Sequence, residues 1–255
     1  MEQRFVGKTV VVTGSSSGIG VGIARRFAAE GANVVLAARR KDRLDTLADE
    51  LGADRCLAVA TDVTNAAGVQ SMIDAGVDRF GGLDVLVSNA GLGLSRDFQD
   101  STLDDWRLVM STNLDSCFFG AKAALPHLRR TRGSIVQIAS ASGLGGDRTL
   151  TAYNAAKGAV VNLTRGLAFD LGQDGIRVNT VAPALTVADE HLGNPMVADL
   201  IERFNERRAL TGYSTPDDIG AAVAFLASAD ARFITGTILP VDGGITAGSG
   251  QPSLF

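Results

Sequence analysis

Cysteine is nearly absent: the 255 residues contain only Cys56 and Cys117, far apart and in apolar surroundings. That excludes a disulfide framework and reads as two small buried side chains in a reducing compartment. Histidine is equally scarce. His127 and His191 show no metal-ligand spacing, so no metal is expected, and His191 reads as an exposed loop residue. Prolines number 6, and no linker or low-complexity tract interrupts the chain. One domain over residues 1–255 is the expectation. No apolar run approaches the ~18 residues of a membrane span. Residues 1–8 are short and polar, without the apolar stretch of a secretory signal, so the expected address is the cytoplasm. Excess positive charge is missing too. The formal net charge is -4, whereas nucleic-acid binding usually asks for a basic surface.

What is present is a 45% hydrophobic chain with 30 glycines. Short β-branched runs at residues 9–12, 33–37, 57–60, 83–87, 134–138, 176–181 and 237–241 read as strands. They are apolar throughout rather than alternating, which implies strands covered on both faces. Helical patterns lie between them: residues 19–30, the Leu44, Leu47, Leu51 repeat ahead of Gly52, a long stretch over 102–130 with Pro126 near its end, and residues 153–171. Strand–helix alternation predicts an α/β fold, a doubly wound parallel sheet with helices on both faces.

The first strand runs into Thr13-Gly14-Ser15-Ser16-Ser17-Gly18-Ile19-Gly20 and then a helix. Gly14 permits a tight turn, and Gly18 and Gly20 clear side chains from where a pyrophosphate meets backbone. The helix start, with Ser16, Ser17 and Ile19, offers free N–H groups and the positive end of the helix dipole to phosphates. Glycines in this strand–helix context point to a Rossmann-type dinucleotide site.

The second strand ends in Ala37-Ala38-Arg39-Arg40-Lys41-Asp42. A cofactor without a 2′-phosphate usually meets an acid at this strand end. Here Ala38 stands in that place, and Arg39 can offer a planar fork to a phosphate, with Arg40 beside it. Three cations near a helix start oppose its dipole by ~0.3–1 kcal/mol each when exposed, which favours a functional reading. Asp42 is the competing acid, but it is expected at the helix N-cap. NADP(H) is therefore expected over NAD(H).

Tyr153 and Lys157 are spaced to share one helix face. A phenol of pKa ~10 exchanges protons poorly near neutrality, and a nearby cation favours the phenolate, so the pair makes chemical sense as an acid–base unit. Ser140 closes a strand thirteen residues earlier, where its hydroxyl can reach a substrate oxygen. Asn113 lies on the long helix, and Ser88-Asn89-Ala90-Gly91 ends the fourth strand.

Together these motifs resemble the short-chain dehydrogenase/reductase family from Lys8 to about Gly244. The resemblance implies a catalytic set of Asn113, Ser140, Tyr153 and Lys157. Tyr153 gives or takes the proton, Lys157 binds the nicotinamide ribose and lowers the pKa of Tyr153, Ser140 orients the substrate oxygen, and Asn113 holds a water in a proton relay. It implies that Asp62 and Val63 meet the adenine, with Asp62 accepting from its amino group, and that Asn89, Ala90, Gly91, Pro183 and Thr186 line the cofactor. Ser142 joins Ser140 and Tyr153 around the substrate. The chain departs from the family at Ala184, where a glycine is usual, and at Ala188, where a threonine is usual.

Residues 142–147, 157–165 and 240–244, with Gly250-Gln251-Pro252, are most similar to the 2,3-butanediol dehydrogenase and acetoin (diacetyl) reductase branch. That branch often carries the acid for NAD that this chain lacks. The implied activity interconverts a ketone or diketone and a secondary alcohol. Two alternatives stand beside it: a 3-oxoacyl-carrier-protein reductase, for which Arg129, Arg130 and Arg132 are a candidate docking patch, and a non-catalytic dinucleotide sensor. Residues 187–210 are expected to form a substrate lid whose helical apolar face packs on the body. The tail, residues 245–255, either reaches a neighbouring subunit or frays. By resemblance the partners are a small carbonyl or alcohol substrate and three further copies in a homotetramer.

Overall fold

The structure, a computed structural model, describes residues 2–249 and 251. Seven strands form one parallel sheet: β1 (Thr9–Thr13), β2 (Asn33–Ala38), β3 (Cys56–Ala60), β4 (Val85–Ser88), β5 (Ser134–Ile138), β6 (Arg177–Pro183) and β7 (Ile238–Val241), in the order β3-β2-β1-β4-β5-β6-β7. The order reverses between β1 and β4, and in such sheets ligands bind beyond the strand C-termini at that reversal.

The helices are α1 (Gly18–Ala29), α2 (Lys41–Leu51), α3 (Ala66–Phe80), α4 (Leu103–Met110), α5 (Ser116–Thr131), α6 (Thr151–Gly172), α7 (Pro195–Asn205) and α8 (Pro216–Ala227). Alternation along β1 sorts them into two layers. Val10 and Val12 pack with Ile23 and Phe27 of α1 and Ile219 and Val223 of α8. Val11 packs with Met72 and Ile73 of α3 and Leu128 of α5. The expected doubly wound sheet is thus observed, with apolar packing on both faces. α3 and α8 were not evident from the sequence pattern. Both start on a side-chain cap, Asn65 for α3 and Thr215 for α8.

Three expectations need correction. The strands are not all covered on both faces: β3 and β7 lie at the sheet edges and are only partly buried. Asp42 is not an N-cap, because α2 already begins at Lys41; Asp42 sits in the first helical turn, where its charge suits the dipole. The stretch over 102–130 is broken by a π turn at Ser111–Asp115. Such turns recur at functional sites, and this one carries the fully buried Asn113.

In the lid segment, Val197, Leu200, Ile201 and Phe204 of α7 are half-buried, whereas Leu192 and Met196 are exposed. The tail begins on a fixed turn, with Thr246 N–H donating to Asp242 (2.9 Å); Gly250 and residues 252–255 lie outside the described residues. No helix among the described residues is long and apolar enough to cross a membrane.

Buried Glu30 and half-buried Arg177 tie the periphery together. Glu30 accepts from Arg4 (2.6 and 2.7 Å) and from Arg26, joining the chain start to α1. Arg177 donates to the carbonyls of Leu226, Ala227 and Ser228 (2.5, 3.0 and 3.1 Å), satisfying the open C-terminus of α8.

Candidate active site

A cleft of about 790 Å³ opens at the C-terminal ends of the strands. Its first wall is the turn between β1 and α1. A Cβ on Gly20 would overlap the Gly14 carbonyl oxygen, so this glycine serves the turn's own close packing rather than ligand approach. Gly18 has φ +52 and open space on its Cβ side. Ser17 precedes α1 without capping it through its side chain, which leaves first-turn N–H groups for an anion. Behind the turn, the Thr13 hydroxyl accepts from the N–H groups of Asn89 and Ala90 (2.9 and 3.0 Å), and Asn89 Nδ2 donates to the Thr13 carbonyl (2.8 Å). The Asn89 side chain therefore locks β4 to β1.

At the outer end, Arg39 and Arg40 are exposed. Arg40 donates to the hydroxyls of Ser16 and Ser17 (3.0 Å each), reaching over the glycine turn. Asp62 Oδ1 accepts from Thr64 N–H (3.0 Å) and the Thr64 hydroxyl (2.8 Å). Those bonds, with a smaller contribution from Arg39, hold its carboxyl below the usual range. Arg39, Arg40, Ser16 and Ser17 make a cationic, donor-rich pocket with the chemistry to hold a phosphate.

At the inner end the cleft meets Ser140, Tyr153 and Lys157. Ser140 caps a short turn after β5, its hydroxyl oxygen accepting from Ser142 N–H (3.1 Å). Tyr153 and Lys157 sit one turn apart on α6, with the ammonium 5.6 Å from the phenol ring centroid. Lys157 is buried and donates to the Ile138 carbonyl (2.8 Å). Burial pushes its pKa down to about 8, against a small opposing influence of Cys117. The phenol departs from expectation. Burial raises the Tyr153 pKa, a hydrogen bond with Ser140 pulls it back, and the charge of Asp147 raises it again. The Lys157 ammonium itself is turned toward the Ile138 carbonyl.

The Asn113 side chain is fully engaged within the protein. Both Nδ2 hydrogens are engaged, by the carbonyls of Leu92 and Val109 (2.9 Å each), and Oδ1 accepts from Leu92 N–H (3.2 Å). Its side chain clasps the β4–α4 loop. A Cβ on Gly91 would lie 2.6 Å from Asn113 Oδ1 and 3.3 Å from Lys157 Nζ, so this glycine lets the three elements converge.

The cleft gathers Gly14, Ser16, Ser17, Ile19, Gly20, Arg39, Arg40, Asp62, Val63, Asn89, Ala90, Gly91, Ser140, Tyr153, Lys157 and Pro183. Gly18 faces a neighbouring groove between α1, α2 and α8. Thr186 lies outside the lining, bridged to Ser214 and donating toward the Ala184 carbonyl (3.5 Å). Sequence reasoning missed the roles of Thr13 and Leu92, which act only through contacts distant in the chain, and the lining residues Leu108 and Thr112. The Arg129, Arg130 and Arg132 cluster lies where α5 leads into β5, at the N-terminal ends of the strands, opposite the cleft. There Arg129 pairs with Asp174 (2.8 Å). That removes it as a docking patch at the cleft mouth.

Comparison with known proteins gives a consistent result. A family model described as enoyl-(acyl carrier protein) reductase matches residues 14–246. The meso-2,3-butanediol dehydrogenase of Serratia marcescens is 46% identical over 251 residues, covering 98% of this chain and 99% of the relative. The NADP-dependent (R)-specific alcohol dehydrogenase of Lentilactobacillus kefiri is 36% identical over 257 residues, 97% of this chain and 100% of the relative. A solved structure described as a short-chain alcohol dehydrogenase from Sinorhizobium meliloti superposes with a TM-score of 0.90 at 33% identity, covering 97% of this chain and 99% of that one.

Proposed function

The chain belongs to the short-chain dehydrogenase/reductase family and is an oxidoreductase acting on alcohols and ketones, and on that premise we propose that it interconverts a small ketone or diketone and a secondary alcohol with NADP(H), Tyr153 serving as general acid and base. The carrying observation is the meeting in one cleft of a phosphate-ready glycine turn, the Arg39–Arg40 pair and the Ser140–Tyr153–Lys157 group.

The residues fit a dinucleotide stretched along the cleft. Ser16 and Ser17 would meet its pyrophosphate, Asp62 and Val63 its adenine, and Ala90, Gly91 and Pro183 its nicotinamide half. When bound, that cofactor supplies or accepts the hydride. Ser140 orients the substrate oxygen. Tyr153, held protonated at neutral pH by burial and by Asp147, donates to that oxygen during reduction and takes the proton back during oxidation. Lys157, anchored on Ile138, completes the polar floor and would meet the nicotinamide ribose.

The NADP(H) reading rests on Ala38 in place of an acid and on Arg39 and Arg40 at the outer end of the cleft. The second-named relative, itself called NADP-dependent, agrees with it. Arg39→Ala tests it. A charge-assisted hydrogen bond to a phosphate contributes about 1.5–3 kcal/mol, so kcat/KM for NADPH should fall roughly 10–100-fold with little change for NADH. Wild-type protein that works better with NADH overturns the assignment. Exposed Leu103 and Trp106 on α4, Phe118 on α5 and Phe169 on α6 support self-association, which we read as a cytoplasmic homotetramer.

A further inference from the structure

We propose that Gln137 and Thr164 are positioning residues for the reaction: their buried hydrogen bond fixes the register of α6 on β5 and so holds the Tyr153 phenol and the Ser140 hydroxyl in one geometry. This rests on the carbonyl–alcohol reading above and adds the device that aligns its two substrate-facing groups.

The two hydroxyls come from different elements. Ser140 stands two residues beyond β5, and Tyr153 lies in the first turn of α6. Tyr153, Lys157, Val160 and Thr164 follow one another at i, i+4, i+7 and i+11, which puts them on one helix face. That face meets β5 and its extension at successive levels. A Cβ on Gly143, in the turn after Ser140, would lie 2.7 Å from the Lys157 carbonyl oxygen, so turn and helix are in close contact. Lys157 Nζ donates to the Ile138 carbonyl (2.8 Å). Two turns further along, Thr164 Oγ1 donates to Gln137 Oε1 (2.8 Å). The lysine stem is flexible and can follow a shifted helix. Threonine is short and stiff at χ1, so its hydroxyl moves with the helix backbone.

That hydroxyl is held from several sides. Its one proton lies between Gln137 Oε1 and the Val160 carbonyl (2.9 Å), and Thr180 Oγ1 of β6, 2.5 Å away, supplies a proton to it. Gln137 and Thr180 are partners in the parallel register of β5 and β6. One point on α6 is therefore tied to two adjacent strands. Hydrogen bonds tolerate only small changes in distance and angle. The small apolar side chains around them, Ala139, Val160 and Val161, offer no such directional constraint.

Stability gives no reason for this arrangement. Gln137, Thr164 and Thr180 are fully buried, and Gln137 Nε2 has no hydrogen-bond partner among the described residues. A buried donor left unmade is costly, and an apolar side chain of the same shape in its place is neutral or stabilising. What the row supplies is alignment. A misplacement of about 1 Å between reacting groups costs about 10²-fold in rate.

Three variants of the full chain test this: Gln137→Met, which keeps the side-chain length and removes its polar end, Thr164→Val, which removes the hydroxyl, and Thr164→Ser, which keeps it. Each is measured for thermal melting, for NADPH affinity by fluorescence titration, and for kcat and KM in diacetyl reduction. Gln137→Met should melt no lower than wild type and bind NADPH equally well, while kcat falls roughly 10–100-fold and KM changes little. Thr164→Val should lose kcat to a similar extent, and Thr164→Ser should recover most of it. A lowered melt with kcat of the folded protein intact would mark Gln137 and Thr164 as packing residues and overturn the proposal. So would wild-type kcat in Gln137→Met, equal losses in the two Thr164 variants, or failure of both Gln137→Met and Thr164→Val to fold. If wild type reduces no carbonyl compound with either nicotinamide cofactor, the function reading fails and this proposal with it. That result is distinct from an active wild type matched by its variants.

Discussion

A Tyr153→Phe variant should keep its fold and its cofactor affinity and lose about 10²–10⁴-fold in kcat, the range a positioned acid–base group supplies. The ring is the part that packs, and phenylalanine retains it, along with the Lys157 ammonium 5.6 Å from its centroid. What disappears is the O–H that serves the substrate oxygen. Ser140 cannot replace it, because its oxygen is already bound to Ser142 N–H and its proton has no general base behind it. Lys157 cannot either, since its ammonium is buried and donating to Ile138. Single-turnover kinetics, paired with a fluorescence titration of the reduced cofactor, separates the two effects. Retained turnover refutes the assignment of Tyr153, and loss of cofactor binding would show that the phenol holds the nucleotide instead.

The second large effect is on stability. Glu30→Gln should destabilise the protein by about 3 kcal/mol, the lower end of the cost of breaking a buried ion pair. The lower end applies because Arg4 and Arg26 keep 15% and 27% of their side chains exposed, whereas Glu30 keeps 1%. For a chain of this size the melting temperature should fall by roughly 6–12 °C. Burial alone pushes the Glu30 pKa up, but the hydrogen bonds and charges of Arg4 and Arg26 outweigh it, and the net shift is downward from 4.5. A carboxyl whose folded pKa is depressed contributes stability above its unfolded pKa and loses it as pH falls through the lower folded value. Wild type should therefore lose stability more steeply than Glu30→Gln as the solution is acidified below about pH 4.5. Parallel curves would mean that the cluster does not carry this energy.

Much of the molecule was legible in the chain because the signals are local. Thr13 to Gly20 declares a strand–helix turn through its own glycines, and Tyr153 and Lys157 declare one helix face through their spacing. What was hidden depends on partners far away in sequence. The π turn at Ser111–Asp115 escapes notice because the helical period runs on through it, while the Asn113 it carries reaches back to Leu92. The coverage of β3 and β7 depends on which strands end up at the edges, which no single strand encodes. Arg177 looks like a surface cation until α8 brings three carbonyls to it. The phenol is the instructive case. Spacing alone pairs it with Lys157, yet folding buries the phenol, which raises its pKa, with Ser140 pulling it back and Asp147 adding to the rise, while the ammonium turns to Ile138.

The central claim is hydride exchange between a nicotinamide cofactor and a small carbonyl compound. Initial rates of the purified protein with NADPH and with NADH, against diacetyl, acetoin, a cyclic ketone and an acetoacetyl thioester, test it most directly. The account predicts consumption of reduced cofactor with the small neutral ketones, faster with NADPH, and little with the thioester. Turnover confined to the thioester, or no consumption across the whole set with either cofactor, would contradict it.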